Sequence, residues 1–536
     1  MLKSLTLVAL AFAQHVQAAA YTPACSASNF SFPELDGTAP MSITAVPIYN
    51  YTATSLPIGG ILGSTYTISF CNVSVTYTHP GSGDAVNVQV WLPSPSSWNG
   101  RLQAVGGGGY SASFGSLYMT QAVGTGYVAL DTDAGHIRGT EHAQSPDTWA
   151  LIGPGNVNMQ LVDNWGSTSV HEMAIIGKAV TESYYGTNPS YSYFTGCSGG
   201  GRQVMMSAQR YAGDFDGLLA VAPAINIENF IPAGYWATQV MLDLGVIPPP
   251  CEVEAFTKAA INACDALDGA EDGIISSLAL CDFDAHQMIG QDFSCNGTTL
   301  QFTEAGAATV QAAWTGPSSA DGKVGWFGLN KDASLSTSYI STECSSNGTC
   351  TAVGQLLSSW IQYFLAKDPS WDASTMTNEL FMDYLQQSEQ EYDSVLAADN
   401  PDLSAFRVAG GKMITWHGLA DETIPPNGTI AYMEKVLEMN PDSSEFIRFY
   451  EAPGVGHCYG GAGAAPVDAL AQLVSWVENG TVPETLAAAD TSRRPRELCA
   501  FPLQQVYVGG ALDSADSFAY RPRAENGTLA SETSFV

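Results

Sequence analysis

The run Tyr193-Phe194-Thr195-Gly196-Cys197-Ser198-Gly199-Gly200-Gly201-Arg202-Gln203 constrains this chain more than any other stretch. It reads as a strand, a sharp turn carrying a serine, and the start of a helix. Gly196, Ser198 and Gly200 match G-x-S-x-G, in which the glycines leave room for a strained turn and the serine hydroxyl stands exposed above a sheet. The following Gln203-Val204-Met205-Met206-Ser207-Ala208-Gln209-Arg210 has helical composition, so the free N–H groups of the helix start point back at Ser198. A glycine-rich turn alone is often only a turn; strand before and helix after make this one a nucleophile elbow, and the elbow implies an α/β-hydrolase fold.

Cys197 directly precedes this serine, and Cys458 directly follows a histidine in Gly456-His457-Cys458-Tyr459. A disulfide between them would hold Ser198 and His457 within a few residues of one covalent bond, since bridged Cα atoms lie about 4.4–6.8 Å apart. Three histidines follow Ser198: His286, His417 and His457. In this fold the order along the chain is Ser, then Asp or Glu, then His, with acid and base on loops after successive strands. Asp421 follows the apolar run Met413–Trp416, and His457 follows Phe446–Tyr450, so both fit order and placement. His286 lies in a less regular segment, and His417 precedes every acid of its own loop. Singly, an Asp after a strand is a turn residue and a His between Gly and Cys is structural; jointly they make a triad of Ser198, Asp421 and His457. A serine is a poor nucleophile until a histidine accepts its proton, and the acid holds the imidazole tautomer.

Elsewhere, Ser64–Cys71 and Val86–Leu92 nearly alternate in polarity, as antiparallel strands do. Trp98–Val105 ends in Gly106-Gly107-Gly108-Gly109. In hydrolases of this type such a loop supplies one oxyanion N–H and the residue after the nucleophile supplies the other, so Gly108 and Gly199 are the expected pair. Gly126–Leu130 is a buried strand; Asp131, Asp133 and His136 beyond it would either touch substrate or merely form a turn. Strand and helix alternate up to Pro223, which means a parallel sheet. From about Ala224 to Asp402 that alternation stops, and it resumes at Lys412. The expected organisation is a catalytic domain over 19–223 and 403–536 with a large inserted lid domain over 224–402. Tyr235, Trp236, Trp314, Trp326, Trp360 and Phe364 of the insertion would form either an aromatic pocket or its core. Cys264-Asp265-Ala266-Leu267-Asp268-Gly269-Ala270-Glu271-Asp272-Gly273-Ile274, closed by Cys281, is an acidic loop of hard oxygen donors that departs from the EF-hand spacing; read alone it is an ordinary acidic turn.

At these residues the chain resembles the tannase and feruloyl esterase family of secreted esterases. The likeness covers Gly196–Gln203, Asp214-Phe215-Asp216-Gly217, Ala222-Pro223-Ala224, Trp416-His417-Gly418-Leu419-Ala420-Asp421 and Gly454–Gly461. The family hallmark, a Cys-Ser, Asp, His-Cys constellation with bridged cysteines, falls on Cys197, Ser198, Asp421, His457 and Cys458. One departure is Gly199, where the family more often has Thr. The resemblance implies a structural Ca²⁺ held by Asp265, Asp268 and Asp272 with the carbonyls of Ala270 and Ile274, tying the lid together at a distance from the nucleophile. It also implies feruloyl or related hydroxycinnamoyl esters of plant cell-wall sugars as substrates, with gallate esters as the runner-up, and no organic cofactor. A catalytically silent carbohydrate-binding scaffold and an amidase are the rival readings.

Residues 1–18 have one Lys, an apolar run from Leu5 to Ala13 and small residues at Val16 and Ala18, the pattern of a secretory signal peptide. Sequons at Asn29, Asn50, Asn72, Asn296, Asn347, Asn427, Asn479 and Asn526 agree with an extracellular, glycosylated protein. A formal net charge of -33 with 19 basic residues argues against nucleic acid and anionic membranes as partners. Eleven cysteines in a secreted chain imply several disulfides with at least one residue left over. Proximity suggests Cys25–Cys71, Cys264–Cys281 and Cys344–Cys350, leaving Cys251, Cys295 and Cys499 unassigned.

Overall fold

The computed structural model describes residues 24–57, 63–318, 325–346 and 348–522. The expected signal peptide and the sequons at Asn347 and Asn526 lie outside the described residues. A nine-stranded sheet runs through the molecule: β1 (Ala39–Thr54), β2 (Thr65–Thr78), β3 (Val86–Pro93), β4 (Arg101–Val105), β5 (Val128–Thr132), β6 (Tyr191–Cys197), β7 (Gly217–Val221), β8 (Lys412–Gly418) and β9 (Ile447–Ala452). Their spatial order is β1-β2-β3-β5-β4-β6-β7-β8-β9. The first three strands and the β3–β5 contact are antiparallel; from β5 through β4 to β9 every pairing is parallel. The β5/β4 reversal makes this an α/β-hydrolase-type sheet, and ligands bind outside the carboxyl ends of such strands.

Both faces are covered, so the parallel strands are apolar throughout and successive residues feed opposite cores. Leu218 and Ala220 face one core and Leu219 and Val221 the other. Helices α1 (Ser116–Gly124) and, at the C-terminal end, Ala469–Asn479 cover one face through Met119, Leu470 and Leu473. Helices α2 (Ser169–Tyr185), α3 (Gly199–Arg210) and α4 (Pro426–Met439) cover the other through Ile176, Val204 and Val436.

Between β7 and β8 the chain leaves the sheet for a run of helices and two short hairpins, as the loss of alternation implied. Trp360 and Phe364 sit at the centre of its core. This insertion is not closed on itself, because Tyr110, Trp149 and Trp165 from before the nucleophile strand belong to the same cluster. Five disulfides are present: Cys25–Cys71, Cys197–Cys458, Cys264–Cys281, Cys344–Cys350 and Cys251–Cys295, with Cys499 free and buried. No helix among the described residues is long and apolar enough to cross a membrane.

Candidate active site

Ser198 terminates β6 and caps α3 with φ 62° and ψ -125°, a left-handed conformation that a serine holds only where its surroundings impose it. The surroundings are tight. A Cβ on Gly196 would sit 2.3 Å from Gly200 O, and one on Gly200 would sit 2.7 Å from Gly107 O, so both elbow glycines are required by close backbone approach. The Ser198 N–H donates to Val221 O on β7, which ties the turn to the neighbouring strand.

His457 and Asp421 stand on the loops after β9 and β8, as expected. The Cys197–Cys458 bridge, with Cα atoms 5.9 Å apart, draws the His457 loop against the elbow. His457 Nδ1 lies 2.8 Å from Asp421 Oδ2, so Nδ1–H donates to the carboxylate and Nε2 is left to take a proton. Ser198 Oγ has no hydrogen bond among the described residues; it and His457 open onto the same cavity, whose volume is about 660 Å³. Asp421 is wholly buried, and its Oδ1 accepts the N–H groups of Thr423 and Ile424 at 2.8 Å each. Burial alone would raise its carboxyl, but the charge of His457 and hydrogen bonds from His417 and His457 hold it well below the usual carboxylate range. Burial would likewise lower His457, and the Asp421 charge and hydrogen bond, with the Glu422 charge, raise it above 6.5 instead.

The oxyanion loop departs from expectation by one residue. The Gly108 N–H is engaged with Ser111 O at 3.0 Å, Gly107 N–H with Gln203 Oε1 at 3.1 Å and Gly106 N–H with Thr195 O at 3.1 Å. Gly109 N–H has no acceptor among the described residues, and its nitrogen lies 3.3 Å from where a Cβ on Gly199 would be. Gly109, not Gly108, therefore keeps the unengaged amide of this loop, and it stands next to Gly199. The absence of a side chain at Gly199 also matters, since a Cβ there would press on Gly109 O at 3.1 Å.

Three supporting residues have no signal in the sequence beyond their neighbourhood. Gln203 accepts from Gly107 N–H and donates to Ala112 O at 3.2 Å, clamping the glycine loop from the nucleophile helix. Glu422 Oε2 accepts the His457 N–H at 3.0 Å. Arg202, fully buried, donates to Trp165 O and Gly166 O within the π-turn Asn164–Thr168, and its guanidinium lies 4.7 Å from the Trp165 ring centroid. Other candidates stand apart from the cavity. Asp131, which stands inside β5 and not in a turn, and Asp133 pair with Arg138, while Asp133 and His136 form the turn, closed by the His136 N–H on Asp133 O, and His136 stacks on Trp149. None of the six insertion aromatics lines the cavity, and they form core instead. Its walls are Phe114, Tyr118 and Gln144 on one side, Thr337, Ser338, Ser341 and Leu357 from the insertion on another, and Tyr459 beside the base.

In the acidic loop, Asp265 accepts the N–H groups of Asp272 and Gly273 and Asp268 accepts that of Ala270. No group of three acidic, His or Cys side chains among the described residues is gathered as a ready-made metal cluster. Asp272 Oδ1 is nevertheless buried without a partner, and burial together with the charges of Asp268 and Asp265 pushes Asp272 up, which is the frustration a hard cation relieves. The loop touches the segment that leads to His457: a Cβ on Gly454 would lie 2.8 Å from Ile274 Cγ1.

A serine in a strained strand-to-helix turn, a histidine oriented by a buried carboxylate, and two free amides beside them define a serine hydrolase of the α/β-hydrolase type. The chain belongs to the tannase and feruloyl esterase family, whose model matches residues 71–520, and it is a carboxylic ester hydrolase. It is 44% identical over 467 residues to a probable feruloyl esterase of Arthroderma benhamiae, covering 84% of this chain and 86% of that one. It is 29% identical to a tannase of Aspergillus oryzae, covering 95% and 97%. The structure of a tannin acyl hydrolase from Aspergillus niger superposes with a TM-score of 0.82 at 28% identity, over 93% of this chain and 96% of that one.

Proposed function

We propose that this enzyme hydrolyses esters of aromatic acids, feruloyl or related hydroxycinnamoyl groups on plant cell-wall sugars, by way of an acyl-enzyme. The observation that carries the reading is the Cys197–Cys458 staple, which brings the Ser198 elbow and the Asp421-oriented His457 to one cavity. Ser198 Oγ attacks the ester carbonyl while His457 Nε2 takes its proton, and the Gly199 and Gly109 N–H groups receive the oxyanion. His457 returns the proton to the departing alcohol, then activates water to release the acid. The greater identity to a feruloyl esterase favours hydroxycinnamate; the likeness to tannin acyl hydrolase supports galloyl esters as the second reading. Parallel hydrolysis of methyl ferulate and methyl gallate separates them. Ser198→Ala should abolish turnover of both, with circular dichroism unchanged, and retained activity would remove Ser198 from the mechanism.

Secretion is part of the same proposal, supported by five disulfides, as is a structural Ca²⁺ held by Asp265, Asp268, Asp272 and the Ala270 and Ile274 carbonyls. The ion would neutralise the loop's carboxylates and stiffen the Ile274 contact with Gly454. Metal content and thermal midpoint, before and after chelation, test it; equal midpoints with no calcium found would end it.

A further inference from the structure

Asp421 serves two imidazoles. Its Oδ2 lies 2.8 Å from His457 Nδ1 and 3.1 Å from Nε2 of His417, the residue at the carboxyl end of β8. His417 and Asp421 are both completely buried, so neither can exchange its partner for solvent. The far nitrogen of His417, Nδ1, sits 2.9 Å from the hydroxyl of Thr429 on α4. With the Thr429 hydroxyl holding that nitrogen, Nε2–H is the group that faces the carboxylate and donates to it. With the two amides on Oδ1, every strong acceptor direction of Asp421 is then filled: two backbone donors on one oxygen, one fixed and one catalytic imidazole on the other.

A carboxylate held only by the two amides is free to rock about its Cα–Cβ axis, and the His457 ring would follow it. The His417 donor removes that freedom from the oxygen that matters.

We propose that His417 is a positioning residue of this esterase, an Nε2–H donor anchored by Thr429 that orients Asp421 and, through it, the catalytic base. The inference rests on the assignment of Ser198, Asp421 and His457 given above. The other titratable groups facing the pair are Glu422, against the His457 backbone, and Tyr339, whose phenol feels the Asp421 charge.

The test is a double-mutant cycle on kcat/KM for an activated aryl ester, with its pH profile. His417→Phe removes the donor; kcat should fall about 30- to 100-fold with KM changed less than about threefold, the scale of a misplaced catalytic group. Losing a hydrogen bond to Oδ2 concentrates negative charge there, so the acid limb should move to higher pH by about 0.5–1 unit. His417→Gln, whose side-chain amide can still donate, should recover most of both effects. In an Asp421→Asn background His417→Phe should cost less than about threefold, because its route to the base is already cut. Should His417→Phe not fold, Thr429→Val, which frees Nδ1, must give a smaller shift in the same direction. An equal loss in both backgrounds, or an acid limb that stays put in both His417→Phe and Thr429→Val, overturns the proposal. Loss of activity in Ser198→Ala is independent of all this, so a retained Ser198→Ala activity would sink the triad reading and not merely His417.

Discussion

Replacing both cysteines of the central bridge, Cys197→Ala with Cys458→Ala, separates what the bond does for stability from what it does for chemistry. The bond spans 261 residues. In the chain-entropy model a loop of that length is worth about 5.5 kcal/mol at 25 °C, and because the dependence is logarithmic, the three smaller bridges inside it lower the figure by only about 0.2 kcal/mol. Native bridges typically return about 2–4 kcal/mol, so the thermal midpoint should fall by several degrees while the protein remains folded at 20 °C. The catalytic effect is separate. Ser198 at φ 62° and Cys458 at φ 64° are both left-handed, and each such residue costs about 1–2 kcal/mol that its surroundings must offset. Without the bond, Cys458 is free to relax and the imbalance is relieved by moving the His457 loop. A displacement of about 1 Å at the base is enough for a loss of about 100-fold in kcat/KM. The assay is turnover of an activated ester at 20 °C, normalised to sites phosphonylated by a serine-directed phosphonate and to native near-ultraviolet dichroism. A folded double variant within threefold of the parent would show that the staple stabilises the enzyme without positioning its nucleophile and base.

The pH profile has a defined sign. His457 must be neutral to accept the serine proton, and its pKa is raised above 6.5, so kcat/KM should fall as pH drops through a midpoint above 6.5; Glu422→Gln, which removes one of the charges that raise it, should move that midpoint to lower pH, and no movement would show that Glu422 acts only through its hydrogen bond. A second histidine governs stability. His79 is held between Asp84, at 2.6 Å, and Glu172, at 2.8 Å; burial would lower its pKa, but the hydrogen bonds its ring donates to the two carboxylates raise it above 6.5. Burial pushes Glu172 up, so Asp84, held well below 3.8 despite its own desolvation, is the lasting counter-ion. The pair's contribution is therefore full between about pH 4 and 6.5, lost as pH rises through the folded pKa of His79 and lost again in strong acid; the melting difference between wild type and His79→Gln should follow that window, and a difference constant to pH 9 would refute it. Gln203→Leu should lower kcat about tenfold at nearly constant KM, because it releases Gly107 and with it the register of the oxyanion loop. Equal changes in kcat and in the affinity for a ground-state analogue would assign Gln203 to binding instead.

What can be read from residues alone here depends on whether a role demands an atom type or only a place. Ser198, Asp421 and His457 are legible because only certain side chains perform those steps and because the sheet dictates their order: each stands at the carboxyl end of a strand that is visible as an apolar run. The Cys197–Cys458 bridge is legible because its cysteines flank those same residues. Cys251–Cys295 is not, since it encloses Cys264 and Cys281 and proximity offers no reason to skip them. The insertion's aromatics carry no mark that distinguishes pocket from core, and the decision was made by partners such as Tyr110 and Trp165, distant in sequence.

The oxyanion loop is the sharpest case. Gly106 to Gly109 are chemically identical, and any of their N–H groups would serve a developing oxyanion. Which one is left over follows from where Thr195 O, Gln203 Oε1 and Ser111 O happen to stand, and those three acceptors come from the nucleophile strand, the nucleophile helix and the loop's own return. His417 is concealed in the same way. It is the second-last residue of a strand, four residues before the catalytic acid, a spacing with no meaning in an extended chain, and it acquires a role only because the turn after β8 folds Asp421 back under it and α4 brings Thr429 to its other nitrogen. Roles assigned by elimination among equivalent groups are thus invisible until every competitor's partner is known, whereas roles that require a nucleophile or a base declare themselves in the chain.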